Sequence, residues 1–205
     1  MIDDKRKFIF THIHKTAGKS VKSILYFDAN DKYINRHIPL SKEIDENNKD
    51  YFKFSFVRNP YDRLVSKYFY DLNLSKQKEL NDGGPEGRGR AGSTKNCSNF
   101  NEWLLNHGRR VHNLLPRMKA MVCDKHGNIL ADYIGRFEKL EEDFDYIKEK
   151  LCLQGTLEHI NKNPLERKKN YLDYYDQESI ELVNLVYKDD FEIFDYEMIK
   201  IDKND

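Results

Sequence analysis

Residues 14–20 read His14-Lys15-Thr16-Ala17-Gly18-Lys19-Ser20. Lysines, hydroxyls and a glycine packed this closely are the residue types that hold an anion. An apolar run, Phe8–Ile13, leads into them, and Val21, Ile24 and Leu25 follow at helical spacing. That order predicts strand, loop and helix. Backbone N–H groups and the positive end of the helix dipole would then face a phosphate. A Walker A loop needs G-x-x-x-x-G-K-[ST]. Gly18-Lys19-Ser20 supply its end, but Ile13 stands where the first glycine belongs, and isoleucine cannot replace a glycine in that tight entry turn. The loop is therefore a phosphate cradle of another kind, a weakened triphosphate site, or a connection carrying solvated lysines.

A second basic position is Arg58, where an apolar run ends in Val57-Arg58-Asn59-Pro60. Arginine offers phosphate a permanently charged, bidentate fork. Arg63, near the start of the helix that follows, is read as structural, and Asp62 as a charge at the helix N-terminus.

The elements that must position these groups are an α/β set. Tyr51–Val57 reads as a buried strand. Asn59 as cap and Pro60 as first helical residue open a helix through Leu64, Val65, Tyr68, Phe69 and Leu72. A short second strand is expected at Tyr33–Asn35, ending near Arg36-His37, with helix or loop over 41–50. A helix is expected over Asn99–Asn106, a strand over Ile129–Ile134, a helix through Leu140, Phe144, Ile147 and Leu151, and a last long helix from Asp176. Alternating strands and helices imply a mainly parallel central sheet. Segment 81–98 holds five of the ten glycines and reads as a flexible insert, disordered or a lid over the acceptor side.

The 205 residues fit one domain, 1–205, with elaborations. Equal numbers of acidic and basic residues, 35 each, exclude a global basic field, so no nucleic-acid partner is expected. Three cysteines without CxxC spacing argue against a disulfide framework or a zinc site and suit a reducing compartment. No window approaches the roughly 18 apolar residues of a membrane span, so a cytoplasmic protein is expected.

The loop resembles the 5′-phosphosulfate loop of sulfotransferases that use 3′-phosphoadenosine 5′-phosphosulfate. Their pattern is an apolar strand, an xHKTGGTS-like turn and a helix. Here Ala17 replaces a glycine and Lys19 a threonine. Residues 54–69 resemble the same family's 3′-phosphate motif, R-N-P-x-D-R-L-x-S-x-Y-F. Residues 133–144, with Gly135-Arg136-Phe137-Glu138, resemble the vGRFExLeeDf segment of its carbohydrate and bacterial branch. Tyr174-Tyr175-Asp176 and residues 187–196 resemble the C-terminal segment of that branch, with Asp195 in place of a glycine.

The resemblance implies a P-loop NTPase-like three-layer fold and transfer of a sulfuryl group to an acceptor hydroxyl, on a carbohydrate or another small molecule. It implies that His14, Lys15, Thr16, Ala17, Gly18, Lys19 and Ser20 cradle the 5′ end of the donor, with Lys15 at the leaving oxygen. Arg58 and Ser66 would bind its 3′-phosphate. A late basic loop, 161–170, would add Arg167 and Lys168. No metal-ligand cluster is visible in the sequence. Of seven histidines (His12, His14, His37, His107, His112, His126 and His159), His37 is the implied general base and His14 its rival. A P-loop kinase and a non-catalytic module for nucleotides or polyanions are the alternatives.

Overall fold

Phe8, Ile9 and Phe10 are almost completely buried, as expected of a strand covered on both faces. They belong to β2, Phe8–Thr11, in a four-stranded sheet with β1 (Ile2–Asp3), β3 (Phe52–Val57) and β4 (Tyr133–Arg136). The order is β1-β2-β3-β4. β1 runs antiparallel to β2, while β2–β3 and β3–β4 are parallel, with Phe10 beside Phe54 and Phe54 beside Tyr133. The computed structural model describes residues 1–25, 37–80 (backbone only for 77–80), 94, 97–157, 165 and 167–201. The strand expected at 33–35, most of insert 81–98, and residues 161–164 and 166 of the basic loop lie outside them.

The described chain divides into two compact units: Met1–Asn59 with Pro116–Asn161, and Pro60–Leu115 with Lys162–Asp205. The first holds the sheet. Its helices are α1 (Gly18–Leu25), α2 (Leu40–Glu43), α6 (Lys119–Val122) and α7 (Leu140–Leu151). The period of two along β2 sorts its side chains. Phe8 and Phe10 join Val21 and Leu25 of α1 and Phe144 and Ile147 of α7, whereas Ile9 packs with Leu40 and Tyr51. Burying each such side chain contributes about 1.5–3 kcal/mol.

The second unit is helical: α3 (Pro60–Leu80), α4 (Phe100–His107), α5 (Val111–Leu114) and α8 (Gln177–Ile193). Asn99 caps α4 by accepting from Glu102 N–H, and Asp176 with Ser179 forms a capping box on α8. Tyr61, Tyr68, Trp103, Tyr187 and Phe191 build an aromatic core. Arg63 is buried with Asp190, 4.0 Å away.

Two expectations move. The strand expected over 129–134 forms over Tyr133–Arg136, while Ile129 only bridges Cys123. Asp132 sets the start of the ladder: its N–H donates to the Lys53 carbonyl and its carboxylate accepts the Lys53 N–H, each at 2.7 Å. The strand expected over Phe8–Ile13 ends at Thr11, although Ile13 stays fully buried.

Candidate active site

The connection from β2 to α1 is tightly folded. Thr16, 1% exposed, donates its hydroxyl hydrogen to the Ile13 carbonyl at 3.0 Å. Lys15 and Ala17 adopt φ of 66° and 62°. Left-handed residues on either side of Thr16 curl the main chain, the curvature that gathers N–H groups into an anion-binding nest. α1 then opens at Gly18 with no acidic side chain in its first turn. Lys19 is exposed, Ser20 buried, and His14, Lys15 and Ala17 half-buried.

Gly18 is required by a neighbour, since a Cβ there would lie 1.8 Å from Cδ2 of His12. His12 is 9% exposed, and its Nδ1 has no hydrogen-bond partner among the described residues. Burial first, then repulsion from His37, Lys22 and His14, pushes its pKa down to about 2, so this imidazole is neutral.

His37 lies over the same loop. Its Nδ1 is 2.6 Å from the His12 carbonyl oxygen. A carbonyl only accepts, so Nδ1 carries the proton, and Nε2 of the neutral ring keeps its lone pair. The His37 ring stacks on His14 with centroids 3.3 Å apart and lies 4.4 Å from the His12 ring. Sequence reasoning placed His14 and His37 as rivals; the structure brings them into one stack beside Lys15. Among the described residues, no group of three or more His, Cys, Asp or Glu could hold a metal ion.

Arg58, 6% exposed, follows β3. Its Nη1 donates to the Lys15 carbonyl at 3.1 Å, and its Cζ sits 3.7 Å from the centre of the Phe137 ring. Its main-chain N–H points to Met118 Sδ at 3.5 Å. The two basic motifs, 43 residues apart at this contact, therefore meet in the first unit.

The other expected donor residues belong to the second unit. Ser66 is half-buried on α3. Arg167 donates to Asp62 Oδ1 at 2.9 Å and lies over the Phe69 ring at 5.6 Å. Lys168 Nζ donates to the Asp173 carbonyl, and its N–H to the Tyr174 hydroxyl, both at 2.7 Å.

Sequence reasoning gave no role to His12, Phe137 or Glu138. A signal for His12 was present: it stands two positions before His14, and an extended chain puts such residues on one side. No local signal joins Phe137 to Arg58.

The loop after a parallel strand thus brings a curled run of lysine and hydroxyl residues together with a histidine stack and a buried arginine, the residue types that suit an anionic ligand. Residues 1–197 match the sulfotransferase family, and the chain belongs to it. It is similar to carbohydrate sulfotransferase 11 of Mus musculus, 23% identical over 236 residues that cover 96% of this chain and 66% of the relative. The Rattus norvegicus carbohydrate sulfotransferase 11 is 23% identical over 239 residues with the same coverages. The chain thus spans 66% of the length of these curated relatives. No solved structure matches it.

Proposed function

We propose that this sulfotransferase moves a sulfuryl group from 3′-phosphoadenosine 5′-phosphosulfate to a hydroxyl of a carbohydrate. The carbohydrate comes from the names of the relatives and the donor from the family. One observation carries the assignment of roles: the hydrogen bond from Arg58 to the Lys15 carbonyl. It supports a donor gripped at two places, the loop at its 5′ end and Arg58, with Ser66, at its 3′-phosphate.

The donor supplies the sulfuryl group and a stable leaving group, adenosine 3′,5′-bisphosphate. His37 Nε2 removes the acceptor hydroxyl proton as that oxygen bonds to sulfur, and the bond from sulfur to the 5′-phosphate oxygen breaks. Lys15 places its charge against that leaving oxygen, which supports a metal-independent transfer. His14 braces the His37 ring. Positioning and electrostatics carry such in-line transfers. Thr16, Ala17, Gly18, Lys19 and Ser20 complete the cradle, and Arg167 and Lys168 add to the donor site on release from their present partners.

The family match across residues 1–197 supports reading both units as one sulfotransferase domain. The parallel β2-β3-β4 ladder, with a loop and helix after β2, supports a P-loop-like three-layer fold. Three cysteines without paired spacing support a reducing, cytoplasmic setting.

Calorimetry with adenosine 3′,5′-bisphosphate in the presence of a chelator tests the donor site, and sulfuryl transfer to a panel of glycans tests the chemistry. Saturable binding is expected. Lys15→Ala should cut transfer by about 10²–10³-fold, and His37→Ala by about 10²–10⁴-fold. No binding sinks the reading. Binding without transfer to any acceptor, and indifferent to His37, makes the protein a binding module instead.

A further inference from the structure

The segment Gly135-Arg136-Phe137-Glu138 has no part in the chemistry above. Two of its residues serve packing. A Cβ at Gly135 would fall 2.4 Å from the Phe56 ring, and Arg136 N–H donates to the Asp143 carboxylate. The next two grip the main anchor. Phe137 presents its ring to the Arg58 guanidinium at 3.7 Å. Glu138 Oε1 accepts the N–H of Asn59 at 2.7 Å, across 79 residues of chain. Consecutive side chains of one short 3-10 turn, Phe137–Lys139, thus hold consecutive residues at the end of β3.

This grip has a consequence for phosphate binding. A free arginine side chain samples many rotamers, and binding must freeze them. A guanidinium whose carbon sits 3.7 Å from a ring centre has few rotamers left to lose. Arginine is attracted to a ring through its π face, whereas oxygens are bound through its in-plane N–H groups. The Lys15 carbonyl holds one such N–H, which fixes rotation in the plane. Glu138 fixes the main chain from which the side chain projects.

We infer that Phe137 and Glu138 are positioning residues for Arg58, holding its fork ready for the 3′-phosphate of the donor. This rests on the donor reading above. Neither residue touches the ligand; both act through Arg58.

The test compares adenosine 3′,5′-bisphosphate with adenosine 5′-monophosphate, which lacks the 3′-phosphate, by calorimetry on the full chain. Phe137→Leu keeps apolar volume and removes the ring face. It should lower the preference for the bisphosphate about 10-fold, equivalent to about 1.4 kcal/mol. Phe137→Tyr, which keeps the ring, should retain the preference. Glu138→Ala should lower it a few-fold, and Glu138→Gln, still an acceptor for Asn59 N–H, should restore it. In an Arg58→Ala background, Phe137→Leu should change nothing further. Thermal melts confirm that each variant is folded. Equal losses for both ligands, or an unchanged preference in folded Phe137→Leu, overturn the positioning role. If the unaltered protein shows no preference for the bisphosphate, the donor reading falls and takes this inference with it.

Discussion

Two arginines show how differently this chain uses one residue type. Arg58, in the first unit, lies 3.7 Å from a phenylalanine ring and donates to a neutral carbonyl. Arg167, in the second, lies 5.6 Å from one and donates to the Asp62 carboxylate. Their surroundings differ in the same sense. Around Arg167, Lys168 is held by Asp173 and Tyr174, Asn170 caps the turn at Leu172, and Asp176 caps α8. Among the described residues there, Arg167 Nε is a buried side-chain nitrogen without a hydrogen-bond partner. Around Arg58, Lys15 and Ala17 adopt left-handed backbone, and a buried imidazole has an unpartnered nitrogen. The unpartnered nitrogen is common to both regions; the left-handed backbone at Lys15 and Ala17 is what sets the first apart from the described residues around Arg167, and such backbone gathers at functional sites.

The largest contrast should come from truncating each arginine. Arg58→Ala removes charge-assisted hydrogen bonds, worth about 1.5–3 kcal/mol each. It should weaken adenosine 3′,5′-bisphosphate by at least ten-fold in calorimetry. Arg167→Ala breaks a partly exposed ion pair, with side chains 25% and 14% exposed. Its expected cost is about 0–1 kcal/mol of stability, with a smaller loss of affinity than Arg58→Ala, because Arg167 must leave Asp62 to reach the donor. Equal affinity losses would erase the distinction.

The buried imidazole supplies the second contrast. His12 has a folded-state pKa of about 2 against 6.5 for the ordinary side chain. Below the ordinary value the unfolded chain takes a proton that the folded chain refuses, so stability falls as pH falls. The loss approaches about 1.4 kcal/mol per pH unit, starting below 6.5 and ending near 2. Between pH 7 and pH 5.5 it amounts to about 1 kcal/mol. Urea unfolding at these two pH values should show that loss, and His12→Phe should be less acid-sensitive by that amount. Parallel pH dependences would mean that His12 is not held neutral.

Local chemistry was legible wherever a few adjacent residues decide the outcome. The apolar runs at Phe8–Thr11 and Phe52–Val57 are strands, Pro60 opens α3 directly after Asn59, and Asn99 and Asp176 cap helices. β1 was not foreseen, because Ile2–Asp3 sits among charges and becomes a strand only by pairing with Phe8 and Ile9. The position of β4 depends on Asp132 meeting Lys53, a contact across 79 residues. At the site, the order of lysine, hydroxyl and glycine marked the loop. The support of His37 by the His12 carbonyl spans 25 residues, and that of Asn59 by Glu138 spans 79. Such partners are set by chain closure, which no short window of sequence encodes.

The smallest effect bears on the strain itself. Gly18 has ordinary backbone and is glycine because His12 leaves no room for a Cβ. Ala17, next to it, has the left-handed φ of 62° and is not glycine. Left-handed backbone costs an L-residue roughly 1–2 kcal/mol. Ala17→Gly relieves that cost but adds freedom to the unfolded chain, worth about 0.4–1 kcal/mol in the opposite direction. The net change should be a stabilisation of about 1 kcal/mol or less, seen as a small rise in Tm. Because the nest uses main-chain N–H groups, bisphosphate affinity should hardly move. A clear destabilisation would show that Ala17 Cβ makes contacts that outweigh the strain, and the contrast between the two regions would then rest on Lys15 alone.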